Sequence, residues 1–238
     1  MRPVSKGGGH FALAIRSARH QRELSVNAAS KDPWSTFKYS AGTRDSCRNE
    51  QFSLCAYSEV ELSETLLGMH LDHVKPKSKF PTDTFSHTNL LLSAIDDIKA
   101  RSLTKRDVFG GHARGDRYHP VWFIHPLKPD SHLFFHYASD GLIQPRRGLS
   151  TRDRRRAVYT IGIMNLNAPF LVNLRRRWIE EIEDEIDKLL GQTTALQYFA
   201  MVELCPTGGR LRPFHSAVRS RFGSLGEIVL AQHCPQCV

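Results

Sequence analysis

Between residues 70 and 92 the chain reads His70-Leu-Asp72-His73-Val-Lys75-Pro-Lys77-Ser-Lys79 and then, further on, Asn89-Leu-Leu-Leu92. Asp72 offers hard oxygen ligands to a divalent cation, and the adjacent His73 can take a proton from water. Asn89 carries an amide able to hydrogen-bond and orient an imidazole. Lys75, Lys77 and Lys79 put positive charge where a phosphodiester would lie. These residue types are equipped for metal-assisted phosphodiester hydrolysis. In that chemistry a single Mg²⁺ or Mn²⁺ stabilises the charge developing on the leaving oxygen. His73, oriented by Asn89 or by a backbone carbonyl, would be the base.

The local pattern predicts a short strand ending near His70–Val74, a turn through Lys77–Pro81, a second short strand around Thr84–Phe85 and a helix over Leu90–Ile98. That is a ββα-metal arrangement, in which a hairpin and a helix clamp one cation. A conflict is visible within it. On a regular strand His70 and Asp72 share a face, whereas Asp72 and His73 point oppositely. His70 therefore reads either as a residue supporting the ligands or as a satisfied strand histidine, and His87 as a surface residue.

The rest of the chain divides into an arm at 1–45, a core with an aromatic hairpin region at 46–145, and a helical region at 146–238. Trp34, Phe37 and Tyr39 should tuck the arm onto the body, and a helix is expected at about 46–57. Asp140-Gly141 is a hairpin turn signal. Ser150 caps a helix running to about Met164, and Pro169 opens another whose apolar stripe includes Leu174, Trp178, Ile182 and Ile186. Two more helices, at about 194–204 and 214–231, complete an α+β, mainly helical protein.

The formal charge of +9 on 238 residues suggests a polyanionic partner such as DNA. Arg152, Arg154, Arg155 and Arg156 form a candidate phosphate-binding stripe; Arg175 to Arg177 form a weaker one beside the acidic block that ends at Asp187. Five cysteines at irregular spacing imply reduced thiols and a cytoplasmic setting. Cys234-Pro-Gln-Cys237 supplies only half the ligands of a zinc site and reads as a plain tail.

The ordered text resembles the HNH endonuclease subunit of Septu-type anti-phage systems, also found as an effector in some retron defence systems. The similarity covers most of the chain. It runs from Cys55-Ala-Tyr-Ser-Glu59 through His70-Leu-Asp-His73, Lys75-Pro-Lys-Ser78, Asn89-Leu-Leu-Leu-Ser93 and Phe109-Gly-Gly-His112. It continues with His125-Pro-Leu-Lys-Pro-Asp130, Tyr159-Thr-Ile161, Asn165-Leu-Asn167 and Phe214-His-Ser-Ala217. The resemblance implies a metal-dependent nuclease working beside a separate ATPase subunit that senses infection or gates the cut. No Gly-rich loop ending in Gly-Lys-Ser/Thr is present, so ATP binding is not expected of this chain.

Two departures from the HNH pattern follow. The Cys pairs that brace many HNH proteins with zinc are reduced here to Cys55, with Ser58, Ala94 and Asp97 at the other positions, so no structural zinc is expected there. The position on the helix where a further ligand should fall is Ile98. His112, after two glycines, is the leading substitute, and Asp97 the alternative to His112. Two other functions stay open: a catalytically weak scaffold or binding subunit, and an RNA-directed nuclease. Metal binding at Asp72 separates the scaffold from the nuclease.

Overall fold

The computed structural model describes residues 1–27 and 32–237. Its strands form two small antiparallel sheets among helices, an α+β architecture that is mainly helical. Helix α1 (Phe11–Ser25) and helix α2 (Ser40–Glu50) precede strand β1 (Met69–His73), which pairs with strand β2 (Leu90–Ala94). The register sets His70 opposite Ser93 and Asp72 opposite Leu91. Two short helices follow, α3 (Asp97–Ser102) and α4 (Gly110–Arg114). Strands β3 (Phe135–Tyr137) and β4 (Ile143–Pro145) make a second hairpin. Its turn uses Gly141, whose φ of +85° and close approach to the Val172 carbonyl both require glycine.

The C-terminal half is α5 (Thr151–Ile163), α6 (Pro169–Lys188), α7 (Thr193–Leu204) and α8 (His215–His233), which kinks at Gly223. Ser150 caps α5 by accepting from the Asp153 amide at 3.1 Å, and Pro169 occupies the first turn of α6. Among the described residues no helix is long and apolar enough to cross a membrane.

Several expectations fail on burial. Leu90–Ala94 is a strand, not the start of a helix over Leu90–Ile98, and it is buried along its whole length. A short apolar run buried on both faces carries no period to tell strand from helix. Thr84–Phe85 is a turn after a 3₁₀ segment at Pro81–Asp83, and the helix expected at 46–57 ends at Glu50. The arm contains the fifteen-residue α1, and Met1, Val4, Leu13 and Phe37 join the main core. On α6 the buried stripe is Leu171, Arg175, Ile179 and Ile182, displaced from the expected one. The cause is Arg175, fully buried, donating to the carbonyls of Gly141 and Leu166 and lying over the Phe214 ring. It is a structural strut, not a phosphate contact. Cys205 and Cys234 form a disulfide with a Cα–Cα distance of 5.8 Å, contrary to the expectation of five reduced thiols. Cys234 and Cys237 are buried in the α6–α8 cluster, so the closing segment is not a loose tail.

Candidate functional site

Strand β1 sends its residues to two sides, and the candidate groups divide accordingly. His70 and Asp72 face α4; His73 faces the turn at 81–85. The pleat does this, as the alternation requires.

On the His73 side, Nε2 donates to the carbonyl of Thr84 at 2.9 Å, and Trp34 packs edge-on at 4.6 Å between ring centroids. Of the two orienting groups considered, the carbonyl is the one within bonding distance. It fixes the tautomer, leaving Nδ1 as the acceptor. Burial drives the His73 pKa down to about 4, so the ring is neutral at physiological pH. Asn89 sits before β2 and braces the intervening loop. Its Oδ1 accepts from the Lys75 amide at 2.7 Å, and Nδ2 donates to the carbonyls of Lys75 and Asp83. The turn is also gripped from outside, where His20 of α1 donates to the Pro81 carbonyl at 3.0 Å and Gln21 to that of Thr82 at 2.7 Å.

On the other side, Asp72 is buried and held by two donors. Arg114 Nη2 reaches both oxygens at 2.9 and 3.1 Å, and the Tyr57 hydroxyl donates to Oδ2 at 2.5 Å. Burial alone would lower the Arg114 pKa, but the Asp72 carboxylate, with Tyr57 and Asp116 adding to it, raises it. Burial, with Asp72 adding to it, pushes the Tyr57 phenol well up, so it stays a donor. A carboxylate has about four acceptor positions; these three bonds leave one, on Oδ1.

That position faces Gly111 and His70. A Cβ on Gly111 would lie 2.7 Å from His70 Nε2 and 2.8 Å from Asp72 Oδ1, so glycine keeps a gap open between them. His70 Nδ1 donates to the Ile95 carbonyl at 2.7 Å, which leaves Nε2 with a lone pair. The His112 ring packs 4.1 Å from that of His70. Its buried Nε2 has no hydrogen-bond partner and lies 3.5 Å from Asp97 Oδ1. Burial, then the neighbouring His70, lowers the His112 pKa and keeps it neutral. Two imidazoles and one carboxylate lone pair around a cradle that a Cβ would fill fit a divalent cation. The ligand atoms are looser than in a closed site. Among the described residues the one set within 4.8 Å of one another is Cys47, Glu50 and His87.

Asp97 is the first residue of α3 and its side chain is 78% exposed, while Ile98 points to solvent at 80%. The loop lysines are each engaged: Lys75 with Asp83 at 2.9 Å, Lys77 with Asp32 at 3.3 Å, and Lys79 with the Asp116 carbonyl at 2.8 Å. Arg152, Arg154 and Arg155 are exposed on the first turns of α5, whereas Arg156 pairs with Asp153 and lies over Phe134. His87 is not a surface residue; it is half-buried against Glu50.

His70 meets Asp72 on one side of the strand, and their shared parity was the sequence signal for it. Tyr57, Arg114 and the Thr84 carbonyl carried none, because their parts depend on contacts 15, 42 and 11 residues away in sequence.

No family model matches the chain. Over 142 residues it is 28% identical to a Vibrio cholerae serotype O1 biovar El Tor protein described as "Retron Vc95 putative HNH endonuclease". The aligned part is 58% of this chain and 64% of that relative, so the chain spans less than two thirds of the relative's length.

Proposed function

We propose that this chain is a metal-dependent HNH endonuclease that hydrolyses phosphodiester bonds in DNA. One observation carries the reading: His73, neutral and held in one tautomer by Thr84, adjoins in sequence a carboxylate that faces His70 across Gly111, with the His112 ring packed on that of His70. The similarity to the retron protein points the same way.

In this reading His70 Nε2, Asp72 Oδ1 and His112 hold the cation, and Asp97 stands outside as a partner of His112. The cation supplies charge stabilisation at the scissile phosphate and the leaving oxygen. Mg²⁺ or Mn²⁺ can serve, and two imidazoles favour Mn²⁺ over the harder Mg²⁺. Arg114 and Tyr57 orient Asp72 and lock the remaining lone pair toward the cradle. His73 Nδ1 would accept a proton from the attacking water; because Asp72 and His73 leave β1 on opposite sides, the scissile phosphate must span the end of that strand to reach both. Asn89 keeps the loop beside His73 in shape. Lys75, Lys77, Lys79 and the exposed Arg152, Arg154 and Arg155 meet phosphates along the nucleic acid. The retron named for the relative fits a role in anti-phage defence; a separate ATPase subunit gating the cut is what the resemblance to the Septu-type nuclease subunit implies.

Plasmid cleavage by the purified chain with Mn²⁺ or Mg²⁺, beside His73→Ala, tests this. Metal-dependent cutting lost in the variant supports it. Cutting that survives the substitution excludes His73 as the base. The binding-subunit alternative draws on Arg114, which already neutralises Asp72 without a metal. A chain that binds no Mn²⁺ and never cuts, even with the ATPase, favours it. Single-stranded RNA offered beside the plasmid separates the RNA-directed alternative.

A further inference from the structure

A second group of metal-ligating side chains lies outside the site already described. Cys47 and Glu50 are three residues apart on α2 and so share a face. His87 reaches them from the turn that leads to Asn89. Their ligand atoms all lie within 4.8 Å of one another, with the thiol fully buried and the other two groups half-buried. His87 Nε2 donates to Glu50 Oε1 at 2.7 Å, and its buried Nδ1 has no hydrogen-bond partner. A cation already sits among them. Lys6 Nζ lies 2.9 Å from Glu50 Oε2 and 3.3 Å from Cys47 Sγ. Above it, the Gly7 amide donates to Glu50 at 2.8 Å and Gly9 packs on the imidazole.

We propose that Cys47, Glu50 and His87 form a binding site for a thiophilic divalent cation of the Zn²⁺ class, capped by Lys6 when no metal is bound. The ligand set is the reason for the class. One thiolate, one imidazole and one carboxylate suit Zn²⁺ far better than Mg²⁺, and solvent completes the tetrahedron. The exchange balances in charge. Without metal, the Glu50 carboxylate and the Lys6 ammonium cancel beside a neutral thiol. With Zn²⁺ bound, Cys47 has given its proton to solvent, Lys6 has swung out as the ammonium, and two negative ligands cancel the ion. His87 coordinates through Nε2 once its proton resides on Nδ1, the nitrogen that lacks a partner. Without metal the buried thiol donates to the Leu90 carbonyl at 3.7 Å.

The site joins α2 to the turn carrying Asn89, so an ion there would staple the loop over His73 from the outside. It takes none of its ligands from the positions at which the HNH zinc pairs would fall. It also stands independently of the nuclease reading, because its test reads binding and not cutting.

The experiment uses the full chain with His112→Gln, which removes a ligand of the other candidate site and leaves the Asp72–Arg114 pair intact. Zn²⁺ is titrated against a chromophoric chelator, and Co²⁺ is added separately for its absorption spectrum. The expected results are one Zn²⁺ per chain, a higher Tm with Zn²⁺, and a thiolate-to-cobalt charge-transfer band. Adding Cys47→Ser or His87→Gln should weaken Zn²⁺ by at least about tenfold, and Cys47→Ser should remove the band. Lys6→Met keeps every ligand and removes the competing ammonium, so it should tighten binding. This last variant keeps the proposal testable if the ligand variants fold poorly. Zn²⁺ binding unchanged by Cys47→Ser, a spectrum without the thiolate band, or weaker binding in Lys6→Met would overturn the proposal.

Discussion

Arg114 Nη2 donates to both carboxylate oxygens of Asp72 and, at 2.7 Å, to the carbonyl of His73. One nitrogen from α4 thereby fixes the dipeptide that ends β1. Both side chains are almost wholly buried, so the pair is not a solvent-screened surface bridge. Arg114→Met should leave a buried carboxylate with no cation and cost about 3–5 kcal/mol in urea denaturation. Asp72→Asn added to it should recover part of that loss, since the charge is then gone. Strict additivity of the two changes would mean that the pair is not coupled.

His73 and Asn89 should fail differently when removed. His73→Ala is expected to slow cleavage by about 10²–10⁴-fold while leaving Mn²⁺ affinity nearly unchanged. Asn89→Ala removes three bonds to the loop backbone and should cost about 1–3 kcal/mol of stability. Cleavage and thermal melts measured on both variants decide it. A rate loss in Asn89→Ala without a stability loss would give Asn89 a direct part in the chemistry.

Stability should fall in mild acid. Burial lowers the pKa values of His125 and His215 to about 4, against about 6.5 in an unfolded chain. The unfolded state therefore takes up these protons first as pH drops. Stability is complete above about pH 6.5 and declines until about pH 4, each histidine contributing up to about 3 kcal/mol. Denaturation midpoints at pH 7, 5.5 and 4 measure the slope, and His215→Gln should flatten it. A slope unaffected by that change would show that His215 does not titrate on unfolding.

Reduction should also destabilise the C-terminal half. Cys205 and Cys234 are separated by 29 residues, and closing a loop of that size is worth about 3–4 kcal/mol in the chain-entropy account. The melting temperature with and without dithiothreitol, beside Cys205→Ser, tests this. If reductant lowers Tm equally in the wild type and in the variant, the bond is not the cause.

Local signals were legible where the physics is local. The Ser150 cap, Pro169, the Asp140-Gly141 turn and the strand ending at His73 all appear where the sequence places them. Leu90–Ala94 was not legible, because a buried apolar run looks alike in strand and helix until a partner strand is known. Arg175 misled for a related reason. An arginine triplet looks solvated, and only the carbonyls of Gly141 and Leu166 converging on one guanidinium make its burial tolerable.

The sequence by itself determined the chemical inventory of this protein: an acid and a histidine side by side, lysines after them, and a histidine behind two glycines. Tertiary structure alone decided which of these groups meet. The pleat of β1 separates Asp72 from His73 and pairs Asp72 with His70. The missing side chain of Gly111 keeps space between them, and Arg114 folds back to hold the carboxylate. Residue types follow from covalent composition, but a site is a set of distances, and those are set by which distant segments bury one another.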